Sequence, residues 1–93
     1  MRAWSPLLLI LSLAGAAQAQ DTVRPEVGKP LQEAQNLIKA QKYKEALTKV
    51  HDTEGVPNKT AYESYLIERM RIAAASGAGD MATAAKAYEA LAG

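Results

Sequence analysis

His51, Asp52 and Glu54 are the residues whose types could hold a metal: one imidazole and two carboxylates within four positions. Metal sites draw ligands from several elements to one point, and the chain has a single His and no Cys to complete a set. The spacing places this cluster at a helix end with its side chains diverging, where a His interacts with exposed carbonyls and the helix dipole. No metal and no cofactor are therefore expected. Hydrolytic chemistry is served no better, because no Ser sits in a Gly-x-Ser-x-Gly elbow beside that one imidazole. Ser76-Gly77-Ala78-Gly79-Asp80 contains glycines but lacks the lysine and preceding strand of a phosphate loop, and reads as a helix stop. The 10 acidic side chains lie scattered among the basic ones, so no glycosidase-like carboxylate pair stands out. No catalytic residue is assigned, and the chain is not expected to be an enzyme.

Arg69 is the side chain most suggestive of binding. On a helical wheel it falls within a broad apolar side, flanked by Tyr62, Tyr65, Ile72 and Ala73. Its stem can pack while its head reaches solvent or a carboxylate such as Glu33. Alternatively it faces an open groove and pairs with a partner's carboxylate. Tyr62 and Tyr65, at helical spacing beside Leu66 and Ile67, read as core and not as a platform for bases or sugars.

These residues must be positioned by a small exported module. Arg2 supplies a positive start, Leu7 to Leu13 an apolar stretch, and Ala17-Gln18-Ala19 the small residues a signal peptidase reads. Residues 1–19 are expected to form a signal-peptide helix cleaved between Ala19 and Gln20. The apolar run is far short of the roughly 20 residues a spanning helix needs. Ala16 stands where a lipoprotein would carry its lipid-bearing cysteine. No stable membrane anchor is expected after cleavage, and the alanine-rich leader suggests a bacterial periplasmic or secreted protein.

Composition narrows the remainder. The 93-residue chain less its first 19 leaves 74 residues, at most one domain and a marginally stable one. Exported domains of this size often rely on disulfides, but the absence of Cys leaves packing to hold this one. Loss of Arg2 lowers Lys plus Arg from 11 to 10, equal to the 10 Asp plus Glu. A balanced surface argues against nucleic acid and against a polybasic membrane surface as partners.

Residues 20–29 hold Pro25 and Gly28 without periodicity and read as a flexible linker. Pro30 suits a first helical position, so a first helix is expected from Pro30 to about Ala40. A second begins near Tyr43, with Tyr43, Ala46, Leu47 and Val50 on one narrow arc, and ends before Gly55 and Pro57. Thr60-Ala61-Tyr62-Glu63 has the form of a capping box and opens a third helix, from Ala61 to about Ser76. Asp80 caps a fourth, whose stripe is Met81, Ala84, Ala85, Tyr88 and Leu91.

The stripes of the second and fourth helices coincide at an offset of 38 residues: Tyr43 with Met81, Ala46 with Ala84, Leu47 with Ala85, Val50 with Tyr88. Two helical hairpins of this period point to a solenoid repeat. Gly79, Met81, Ala84 and Tyr88 resemble the turn-glycine, large, alanine, aromatic run of the tetratricopeptide family, whose period is about 34. In the first half Gln41 replaces the turn glycine and Val50 the aromatic. The resemblance covers about Pro30 to Leu91 and implies, for a domain of residues 30–93, two antiparallel helical hairpins stacked as a tetratricopeptide-like array. It also implies a groove lined by first helices, on which Gln35 and Lys39 would join Arg69. The expected function is a non-catalytic envelope interaction module that binds a peptide or helix, or self-associates. The alternatives are a small periplasmic ligand- or metal-binding protein and an enzyme accessory subunit. A solenoid with no terminal cap exposes apolar surface, expected here near Ile67, Ala74, Ala87 and Leu91.

Overall fold

The structure, a computed structural model, describes residues 22–93. The leader and its cleavage point at Ala19–Gln20 lie outside the described residues. Four helices follow in order: α1 (Pro25–Lys39), α2 (Tyr43–His51), α3 (Ala61–Ala78) and α4 (Met81–Ala92). α1 packs on α2 and α3 on α4, while α3 also rests against both α1 and α2. Among the described residues no helix is long and apolar enough to cross a membrane.

α1 starts at Pro25, not at Pro30, so the second half of the expected linker is helix. The reason is apolar spacing that continues backwards through Val27, Leu31 and Ala34, all buried. Pro25 takes the early position where a missing N–H is harmless. Pro30 is carried inside the helix, where the missing N–H removes one backbone hydrogen bond. The burial of Val27 and Leu31 offsets that loss.

The core joins Val27, Leu31 and Ala34 of α1, Ala46 and Val50 of α2, and Ile67 and Ala74 of α3. Ala75, Ala84 and Ala87 are the buried apolar residues near the α3–α4 contact. Small side chains here allow close approach of backbones. Gly77 shows the tightest case, since a methyl group at that position would overlap the Tyr43 ring. Gly77 is accordingly helical, and α3 runs through it to Ala78, two residues beyond the expected stop.

Both hairpins turn in the same way. After α1, Lys42 N–H donates to Leu37 O at 2.8 Å and Gln41 N–H to Ile38 O at 2.9 Å, with Gln41 left-handed at φ 62°. After α3, Asp80 N–H donates to Ala75 O at 2.9 Å and Gly79 N–H to Ser76 O at 3.2 Å, with Gly79 at φ 77°. This paired bonding is the Schellman closure, and it recurs at the 38-residue offset. Ala46 and Ala84 are both buried beyond their turns.

The expected stripe of α4 is turned, however. Ala84 is buried, but Met81, Ala85 and Tyr88 are exposed, and Ala87 takes the second buried place. α4 has α3 as its principal neighbour and buries only the side that meets it. Tyr43 and Leu47 are half-buried and Val50 fully buried, because α2 lies between α1 and α3. The apolar surface expected to lie open is also misplaced: Ile67, Ala74 and Ala87 are buried and Leu91 half-buried. Tyr62 and Tyr65, expected in the core, are among the exposed residues.

Gln41 bears the steric cost of a left-handed side-chain residue, which glycine avoids. Gln41→Gly is expected to stabilise the fold by about 1 kcal/mol, and Gly79→Gln to destabilise it by a similar amount. Urea unfolding midpoints check both; a destabilised Gln41→Gly protein would show that the Gln41 side chain contributes more than the turn geometry.

Candidate functional site

The cleft between α1 and α3 has a volume of about 540 Å³. Its apolar walls are Val23, Leu31, Leu66, Met70 and Ala73, and its polar groups are Gln32, Gln35 and Arg69. The capping box and a half-buried ion pair hold its two walls together. Thr60 Oγ1 accepts from Glu63 N–H at 3.0 Å, and Glu63 Oε1 accepts from Thr60 N–H at 2.9 Å. The Glu63 carboxylate then reaches beyond its own helix. It accepts from Arg24 N–H and Nε, both at 3.0 Å, and from Arg24 Nη2 at 2.9 Å. Arg24 is the residue that caps α1. Its Nη2 also donates to Pro57 O at 3.1 Å and Asn58 O at 3.4 Å, tying in the α2–α3 connection.

Sequence reasoning identified the local half of this arrangement and missed Arg24. The available signal was the helical spacing of Val27, Leu31 and Ala34, which makes Arg24 the residue just before a helix. The Arg24 guanidinium, then the backbone N–H groups of Thr60 and Arg24, hold the Glu63 carboxyl at about 2, below its ordinary 4.5. The same hydrogen bond to Glu63 raises Arg24.

Of the three residues proposed for a binding face, Gln35 and Arg69 line the cleft and Lys39 does not. Arg69 does not reach Glu33, which pairs instead with Lys49 at 3.8 Å. Its guanidinium lies 5.6 Å from the centre of the Tyr65 ring, and its Nη1 donates to Tyr65 Oη at 3.4 Å. That contact holds the head group at the cleft edge by cation–π attraction.

A second groove, about 620 Å³, runs between α2, α3 and α4. Here Glu54 bridges His51 Nδ1 at 3.1 Å and Arg71 Nη1 at 2.8 Å, while Arg71 Nε donates to Glu68 Oε1 at 3.1 Å. Arg71, with a side chain only 14 % exposed, was overlooked. Its signal was Glu68 one turn earlier on the same helix. The cluster joins the end of α2 to α3. His51 and Glu54 are thus engaged with each other and with Arg71. Among the described residues no group of three or more His, Asp or Glu side chains is placed to hold a metal ion. Asp80 accepts from the Thr83 hydroxyl at 2.7 Å and the Thr83 N–H at 3.2 Å, which makes its carboxyl more acidic than usual and starts α4.

The chain significantly matches no protein-family model, no curated protein and no solved structure. Fold and site define a small all-helical domain of four helices, with one apolar cleft between α1 and α3 and one charged groove across α2, α3 and α4.

Because Glu63 is more acidic in the fold than in the unfolded chain, its contribution is full above pH 4.5 and is lost as pH falls toward about 2. Glu63→Gln is expected to lower the urea midpoint at neutral pH and to flatten its decline over that acid window. Asp80 acts in the same direction, so a smaller acid decline remains. An undiminished acid decline in the Gln variant would assign the loss to other carboxylates.

Proposed function

We propose that this chain is a non-catalytic interaction module of the bacterial envelope, taking an extended peptide with an acidic group into the α1–α3 cleft. The observation that carries the reading is the cleft itself: an apolar floor with Gln32, Gln35 and Arg69 at its polar positions. Side-chain amides can both donate to and accept from a peptide backbone. Arg69 supplies a fork that suits a carboxylate. Extended segments are bound through hydrogen bonds to their backbone and pockets for alternate side chains; Gln32 and Gln35 would supply the first here and the apolar walls the second.

A tetratricopeptide-like array is the finer architecture we infer. Support comes from the two Schellman turns at the 38-residue offset, the buried Ala46 and Ala84, and the packing of α3 against both helices of the first hairpin. In such an array the first helices of successive hairpins lie side by side, which is how α1 and α3 come to line one cleft. Lys39, outside the cleft lining, contributes at most long-range attraction for an acidic peptide. Export rests on the sequence of residues 1–19, and puts the module beyond the inner membrane.

Titration of the protein with a panel of short acidic peptides, followed by amide chemical shifts, tests the reading. The expected result is perturbation confined to α1 and α3. Arg69→Ala is expected to weaken binding roughly tenfold, and Gln35→Ala by a smaller factor. Lys86→Ala, in the other groove, is expected to leave affinity unchanged. Binding retained in full by both Arg69→Ala and Gln35→Ala would sink the assignment of the cleft.

A further inference from the structure

Five side chains of the first hairpin meet α3, three of them buried and Arg24 and Tyr43 half-buried. Arg24 is held by Glu63, the Tyr43 ring lies against Gly77, and Val27, Leu31 and Val50 share the core with Ile67. At the 38-residue offset the same positions are Tyr62, Tyr65, Arg69, Met81 and Tyr88. All five are exposed, Tyr65 by 44 %, Met81 by 58 % and Tyr88 by 60 %. The seats within each hairpin behave otherwise, since Ala46 and Ala84 are both buried. Cover is therefore lost only on the side that α3 occupies in the first hairpin. The second hairpin presents an unfilled seat of tyrosine, methionine and arginine, the residue types enriched where protein surfaces meet.

We propose that a second copy of the chain fills this seat, the two copies meeting tail to tail about a two-fold axis. The opposite end of the molecule is unsuited to the role. The outward faces of α1 and α2 carry Glu26, Lys29, Lys44 and Glu45, all exposed, and head-to-tail stacking would bury those charges against tyrosine and methionine. The seat itself is matched in charge. Arg69 lies on it and Glu89 follows Tyr88 on α4, both exposed, and neither forms an ion pair among the described residues. A two-fold contact places the same patch on both sides, so each pairing across it is made twice. Arg69 meets Glu89 of the partner subunit, with Tyr88 and Met81 packed between the two pairs. The inference rests on reading the chain as an interaction module; its surface shares Arg69 with the peptide cleft but not Gln32 or Gln35, which separate the two in the test.

Sedimentation equilibrium of the purified protein over a concentration series tests it. The expected result is a reversible monomer–dimer equilibrium. Tyr88→Glu combined with Met81→Glu is expected to leave a monomer with an unchanged helical circular-dichroism spectrum, since both side chains are largely exposed. Arg69→Glu and Glu89→Arg are each expected to raise the dissociation constant roughly tenfold, and the double reversal to restore it. This charge cycle keeps the proposal testable even where the glutamates disturb folding. Gln35→Ala is expected to leave the dimer unchanged, so a failed peptide titration does not affect this result. A protein monomeric at every concentration overturns the proposal. So does a dimer indifferent to Tyr88→Glu and to both charge reversals, or one weakened tenfold by Gln35→Ala.

Discussion

A single buried carboxylate joins three parts of this molecule. Glu63 begins as an ordinary first-turn acid, closing a capping box with Thr60. It then receives three further hydrogen bonds from Arg24, the residue that caps α1. A carboxylate withdrawn from water is costly unless its oxygens are satisfied, and here each oxygen has two donors. One side chain thereby aligns the starts of α1 and α3, and Arg24 draws in the connection through Pro57 and Asn58. The two helices fixed at that end are the two walls of the cleft. Loss of the pair would disturb the cleft's geometry as well as the fold.

The remaining polar contacts follow the same economy. Thr53 is buried and its hydroxyl donates to Val50 O at 2.6 Å, closing the end of α2. Lys59 caps carbonyls of Glu54 and Val56. Among the described residues no buried polar side-chain atom lacks a partner. The groups with clearly shifted ionisation, Arg24, Glu63 and Asp80, all stand at helix starts. Shifted ionisation can mark a reactive group or a structural tie; here the main cause is the Arg24–Glu63 hydrogen bond for that pair and the Thr83 hydroxyl for Asp80. With an apolar interior built largely of alanine, these ties carry a larger share of the folding specificity than they would in a domain with bulkier side chains.

What could be read from the residues alone was whatever depends on near neighbours. The start of α2 at Tyr43, the capping box at Thr60 and the Asp80 cap are local features, and each stands where its residues place it. Arg24 escaped because its partner lies 39 residues away and Pro30 offered a plausible but false helix start. The rotation of α4 escaped for a different reason. Its alanine-rich sequence supports two apolar stripes, one through Met81, Ala84 and Tyr88, the other through Ala84, Ala87 and Leu91. Only the position of α3 decides between them. Gln35 and Arg69 line one cleft because α1 packs against α3, whereas Lys39 lies outside its lining.

The span between Arg24 and Glu63 also sets the order in which this chain can acquire structure. A segment delivered from its N-terminal end, whether from a ribosome or through a narrow channel, presents Arg24 long before its acceptor exists. α1 and α2 can pair in the meantime, but they lack the carboxylate that fastens the first turn and the helix that covers Val27 and Leu31. Long-range closure of this kind delays commitment until the distant segment arrives. The first hairpin thus gains its full set of contacts only once α3 has been made.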